Sequence, residues 1–125
     1  MTDVTSEPLR EALRPRGPVQ FEIQEHRVGG IITVAVTGEL DLFTAPKLAA
    51  RIGTRLRVEP GDVVLDLVET QFIDSAGLAI LLNLRRRLER HGGQLRVLCG
   101  EGPVRRVIEM ARLEEALGVV PATRV

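Results

Sequence analysis

A chain of 125 residues is the length of one domain, and its 44% hydrophobic and 27% charged residues are those of a globular protein with one core. Seventeen Lys+Arg balance seventeen Asp+Glu, which removes the basic field that draws nucleic acids or anionic lipids. Three Phe with no Tyr or Trp leave little for base stacking, and the single Cys99 excludes an intramolecular disulfide or a Cys-rich metal site. That cysteine usage, the lack of an apolar leader in MTDVTSEPLREALRPRGP, and the lack of any apolar run near roughly 20 residues point to a cytoplasmic protein with no membrane segment.

Residues 1–18 carry three prolines, several charges and few large apolar groups, a mixture that predicts a flexible N-terminal arm. The single domain then occupies 19–125. VQFEIQE alternates Val19, Phe21 and Ile23 with polar residues, the period-two mark of a half-buried strand. Arg27-Val28-Gly29-Gly30 turns the chain into IITVAVTG, whose nearly continuous β-branched and apolar run predicts a central strand covered on both faces. Thr44 is a helix cap ahead of Pro46, and Ala45, Leu48, Ala49, Ile52 and Leu56 recur at helical spacing until Pro60-Gly61.

DVVLDL at 62–67 is a buried strand, and a helix from Ala76 to Arg90 follows, ending at His91-Gly92-Gly93. QLRVLC is the next strand. Pro103 opens a last clear helix, on which Val104, Val107, Ile108 and Ala111 form one stripe; a short further helical turn is expected at Glu114–Leu117. The order β-β-α-β-α-β-α implies a mixed, mostly parallel sheet with helices packed against it.

In open α/β sheets, sites gather outside the carboxyl ends of the strands. Gly38-Glu39-Leu40-Asp41 and Phe72-Ile73-Asp74-Ser75-Ala76-Gly77 occupy such ends. Ser75 stands where a helix begins, so its hydroxyl can cap the first turn; a phosphate on it would meet the same backbone donors and the positive end of the helix dipole. Both readings are compatible. A nucleophile elbow is excluded because Ile73 stands where that motif needs glycine, and neither His26 nor His91 has a spacing that recruits it to Ser75. Glu39, Asp41, Asp66, Glu69 and Asp74 read as a solvated acidic rim rather than a metal site, and no phosphate-cradling glycine motif accompanies them. Arg85, Arg86, Arg87 and Arg90 read as a solvated basic turn that complements the helix dipole.

Three stretches resemble the STAS family, specifically the small bacterial anti-sigma factor antagonists: G-E-L-D at 38–41 with Thr44-Ala45 and Leu48, V-V-L-D-L at 63–67, and F-I-D-S-A-G-L at 72–78 running into L-L-N-L-R-R-R. The resemblance spans about residues 19–120 and implies a STAS-like fold. It also implies a switch in partner choice. In such proteins the serine matching Ser75 is phosphorylated by an anti-sigma factor that is itself an ATP-dependent serine kinase. The unphosphorylated antagonist binds that anti-sigma factor and frees its sigma factor, and a metal-dependent serine phosphatase restores the active form.

Carried over by position, Ser75 is the acceptor, and Asp41, Asp74, Ala76, Gly77 and Leu78 belong to the partner-binding surface, Gly77 letting the kinase approach closely. Leu78 and Leu82, with Ile80, are candidates for an apolar patch beside Ser75 or for core. The sequence departs from the family's pattern at Ala76, often Ser or Thr, and at Arg112, usually Gly. No cofactor, metal or catalytic residue is implied. A monomer or weak dimer is expected, and the competing reading keeps the fold as a non-phosphorylated scaffold or transporter-associated subunit.

Overall fold

The computed structural model describes residues 20–122; the arm expected at 1–18 and the residue Val19 lie outside them. The elements run β1 (Glu22–Val28), β2 (Ile31–Leu40), α1 (Ala45–Val58), β3 (Asp62–Asp66), β4 (Thr70–Ile73), α2 (Ser75–Arg90), β5 (Leu95–Cys99), α3 (Pro103–Met110) and β6 (Val119–Pro121). The main sheet is ordered β1-β2-β3-β5-β6. Only β1 pairs antiparallel, with β2; β2/β3, β3/β5, β5/β6 and β2/β4 are parallel. This is the mixed, mostly parallel α/β sheet that the sequence implied, with two further strands, β4 and β6.

β4 pairs with the carboxyl end of β2, matching Gly38 to Thr70, Glu39 to Phe72 and Leu40 to Ile73, with a register shift between Gly38 and Glu39. Gly38 has φ +92°, a region that L side chains avoid, so the glycine of G-E-L-D lets the strand bulge and re-aim its last residues. Buried Thr70 fixes the pairing, its hydroxyl donating to the Val36 carbonyl at 2.8 Å.

The core lies on one face of the sheet. Ile32, Val34, Val36 and Leu40 of β2, Val63 and Leu65 of β3, and Leu95, Val97 and Cys99 of β5 meet Leu48 and Ile52 of α1, Leu81, Leu84 and Leu88 of α2, and Ile108 of α3. The expectation that β2 is covered on both faces is corrected: it alternates strictly, with Thr33, Ala35 and Thr37 only half-buried on the second face. β3 alternates likewise, leaving Val64 and Asp66 half-buried. Small and β-branched residues make an apolar run in sequence, but on a pleated strand every second one faces away from the helices.

The short helical turn expected at Glu114–Leu117 is a single turn, in which Leu117 is fully buried and its N–H reaches the Leu113 carbonyl at 2.9 Å before the chain enters β6. α2 and α3 end in the same way. The Gly93 N–H bonds to the Leu88 carbonyl and the Gly92 N–H to that of Glu89; after α3, Leu113 and Arg112 repeat this pattern onto Ile108 and Glu109. Such a Schellman ending places its pivotal residue at positive φ, +80° for Gly92 and +57° for Arg112.

Candidate functional site at the carboxyl ends of β2 and β4

Leu40 and Ile73 are neighbours in adjacent parallel strands, so the segments that leave them emerge side by side. Each opens with an aspartate that accepts backbone N–H groups. Asp41 Oδ1 accepts the N–H groups of Phe43 and Thr44, both at 2.9 Å, and the Asp41 carbonyl already accepts the Ala45 N–H. Asp74 likewise accepts the Gly77 N–H at 2.9 Å, and its own N–H is held by the Leu40 carbonyl at 3.2 Å. The Asp74 carboxylate satisfies a first-turn donor of α2, and that of Asp41 satisfies two donors of the turn that leads into α1.

Two capping assignments made from sequence change accordingly. Thr44 makes no side-chain cap for α1; its hydroxyl accepts the Asp41 N–H at 2.9 Å and donates back to the Glu39 carbonyl. Ser75 is not the cap of α2 but its first residue, because Asp74 takes that role. Ser75 is exposed, and its hydroxyl has no hydrogen-bond partner among the described residues. A side chain freed from capping at a helix N-terminus is sterically open to modification.

The electrostatics are local. The Thr44 N–H above all, helped by the Phe43 N–H and the Thr44 hydroxyl, outweighs partial burial and holds the Asp41 carboxyl below the ordinary aspartate range. Asp66, the third member of the acidic rim, accepts the Val68 N–H at 2.9 Å and shapes the turn into β4. Among the described residues no group of three or more His, Cys, Asp or Glu side chains could hold a metal ion.

Of the residues implied by resemblance, Ser75 is exposed, Asp41, Asp74 and Ala76 are half-buried, and Gly77 and Leu78 are buried. Gly77 has an internal reason for being glycine: a Cβ there would stand 2.6 Å from the Leu40 carbonyl oxygen and 2.7 Å from Ile73 Cγ1. Its lack of a side chain lets α2 sit against the end of β2. Leu78 packs into the core, and Ile80 and Leu82 pack half-buried against it. The apolar surface at this end comes instead from Leu42 and Phe43, 63% and 77% exposed in the turn after Asp41. Sequence reasoning passed over them, although two large apolar residues between Asp41 and Thr44 in a loop were the available signal.

The comparisons with known proteins agree with this architecture. The profile of the STAS domain matches residues 22–124. The anti-sigma F factor antagonist of Paenibacillus polymyxa is 31% identical over 96 residues, covering 76% of this chain and 80% of that protein. The solved structure of an anti-sigma factor antagonist from Mycobacterium paratuberculosis superposes with a TM-score of 0.74 at 29% identity, covering 82% of this chain and 87% of the other. The anti-sigma factor antagonist SpoIIAA in its unphosphorylated form shares the fold at a TM-score of 0.67 and 24% identity, over 82% of this chain and 90% of its own. With the matched segment covering both strand ends and the helices that follow them, the chain belongs to the STAS domain family, of the anti-sigma factor antagonist type.

Proposed function

We propose that this chain is a non-enzymatic cytoplasmic switch that binds a serine-kinase anti-sigma factor when unphosphorylated, so releasing a sigma factor. Phosphorylation of Ser75 by that ATP-dependent kinase turns it off, and a metal-dependent serine phosphatase turns it on again. The observation that carries the reading is the exposed first-turn position of Ser75, with the capping work done by Asp74. The 31% identical relative named as an anti-sigma F factor antagonist supports the partner class.

Charge explains how one phosphate can act without refolding. Phosphoserine adds about −1.5 to −2 charge at neutral pH. The Gly77 N–H that could have received it is occupied by Asp74, and the Asp41 carboxylate stands on the adjacent strand end. A partner that docks over Ser75, Leu42 and Phe43 would then have to bury an added dianion beside two carboxylates. Like-charge contact of this kind costs several kcal/mol, and about 1.4 kcal/mol is already tenfold in affinity.

The test is an intact-mass spectrum after incubation with ATP, Mg²⁺ and candidate anti-sigma kinases of the host, with Ser75→Ala as control. One added phosphate, absent in the control, is expected. A folded protein that accepts no phosphate and binds none of these kinases would instead place it among scaffold or transporter-associated STAS proteins.

A further inference from the structure

At the opposite end of the sheet from Ser75, a cavity of about 330 Å³ opens between the last turns of α1 and α2 and the loops that enter β3 and β5. Its volume is roughly twice that of an engineered cavity of about 150 Å³ that accepts benzene. Among the described residues, Leu56, Pro60 and Leu88 supply apolar wall, the remaining side chains are Arg57, Arg87 and His91, and no acidic residue lines the cavity. Neither Arg57 nor Arg87 forms an ion pair with a described residue. The carboxylates adjoining the lining in sequence are engaged elsewhere: Glu59 by Arg27 at 2.8 Å, Asp62 by the Gln94 N–H at 2.9 Å and Glu89 by Arg85 at 3.3 Å.

One feature of α1 makes this cavity a built one. Gly53 is a buried glycine inside a helix, where glycine costs about 1 kcal/mol against alanine. A Cβ at Gly53 would lie 2.9 Å from Nη1 and 3.1 Å from Nη2 of Arg87, so the missing side chain is the slot in which that guanidinium lies across α1. His91 Nδ1 donates to the Arg87 carbonyl at 2.9 Å, which covers an exposed helix-end acceptor that would otherwise oppose an anion. A laid-down planar guanidinium, a second unpaired arginine and an apolar wall form a complementary receptacle for one anionic head on a compact apolar body.

We propose that this cavity binds a small organic anion, an apolar body of ring size carrying one carboxylate or phosphate, held between Arg57 and Arg87. The site stands apart from Ser75 and does not depend on the switch proposed there, so either can fail alone.

The experiment is a titration of the full 125-residue chain, followed by amide ¹H–¹⁵N spectra, with benzoate, phenyl phosphate, benzamide and inorganic phosphate as separate probes. Saturable shifts confined to the amides of Gly53, Gly61, Gly93 and His91 are expected for benzoate or phenyl phosphate, and the tighter of the two identifies the head group. Benzamide and inorganic phosphate should bind roughly tenfold more weakly or worse, since each lacks the charge or the body.

Arg87→Gln should weaken the preferred probe by about tenfold. Gly53→Ala should do so too by displacing the guanidinium, with the fold kept because alanine favours the helix. Equal binding of benzamide, equal binding of inorganic phosphate, no saturable shift, or unchanged affinity in both variants would each overturn the proposal. Ser75→Asp should bind the probe as the unaltered chain does; a loss there would also overturn the site's independence.

Discussion

The two ends of α2 are built from opposite materials. At its start, Asp74 and the neighbouring Asp41 turn carboxylates inward onto backbone N–H groups and leave the Ser75 hydroxyl outside. At its finish, Arg87, His91 and the Gly92 turn close the helix around carbonyls, beside a cavity rich in arginine. Both ends follow the helix dipole, which favours negative groups at the start and positive ones at the finish. The difference is that the acidic end spends its charge on its own backbone, whereas Arg57 and Arg87 at the basic end pair with no described carboxylate. An added anion would therefore meet carboxylates at one end and unpaired arginines at the other.

The largest expected effect breaks this symmetry at the start of α2. Ser75→Asp should lower affinity for the anti-sigma partner by about 100-fold or more, read by calorimetry, because it places a third carboxylate in the contact. Arg87→Gln, at the far end of the same helix, should leave that affinity unchanged. Equal losses from both would show that the partner covers the whole helix.

Gly77→Ala comes next. The added methyl must displace the Leu40 carbonyl or Ile73, which are packed strand atoms, so denaturant unfolding should show a loss of roughly 1–3 kcal/mol. Gly53→Ala has the opposite expectation although its Cβ is also crowded, because the atoms it meets belong to the far end of a flexible arginine. A loss of stability in both variants would mean that Arg87 is fixed as rigidly as backbone. Asp74→Ala removes one cap bond and should cost about 1 kcal/mol.

How much of this contrast was legible in the chain follows from what kind of information each part uses. The strands around 31–40, 62–66 and 95–99 and all three helices stand out because periodicity is local. β4 escaped because four residues, Thr70–Ile73, follow a turn directly and owe their strand state to pairing with β2 beyond the Gly38 bulge. β6 escaped because three residues ending in proline carry no period. The strand ends that carry Asp41 and Ser75 were legible, but the side-chain capping was assigned to Thr44 and Ser75, whereas Asp74 caps α2 and Thr44 makes no side-chain cap. In D-L-F-T and D-S-A-G several side chains can cap, and only the strand ends at Leu40 and Ile73 decide which one does. The surface residues Leu42 and Phe43 were hidden for a related reason: exposure depends on where the turn points.

The two Schellman endings offer an internal control on the sequence's departure at Arg112. An L side chain in the left-handed region costs about 1–2 kcal/mol, so Arg112→Gly should stabilise the protein by about 1 kcal/mol. Gly92→Ala, at the equivalent place after α2, should destabilise it by a similar amount. If Arg112→Gly is neutral or harmful, the arginine side chain makes a contact that offsets its backbone strain.

The smallest effect tests whether the charge of Asp41, rather than its shape, holds the acidic end together. An asparagine oxygen can accept the same turn N–H groups, so Asp41→Asn keeps an acceptor for those of Phe43 and Thr44 and removes only the charge. The folded carboxyl titrates lower than an unfolded aspartate, so the unfolded chain takes up its proton first as pH falls. The stability it contributes is therefore complete above the ordinary aspartate range and is lost as pH drops through that range and the folded value beneath it. In thermal melts the unaltered chain should exceed Asp41→Asn near neutral pH, and the gap should close below about pH 4. A gap that stays constant into acid would assign the effect to hydrogen-bond geometry alone, and the acidic end would then owe its order to the caps' placement and nothing to their charge.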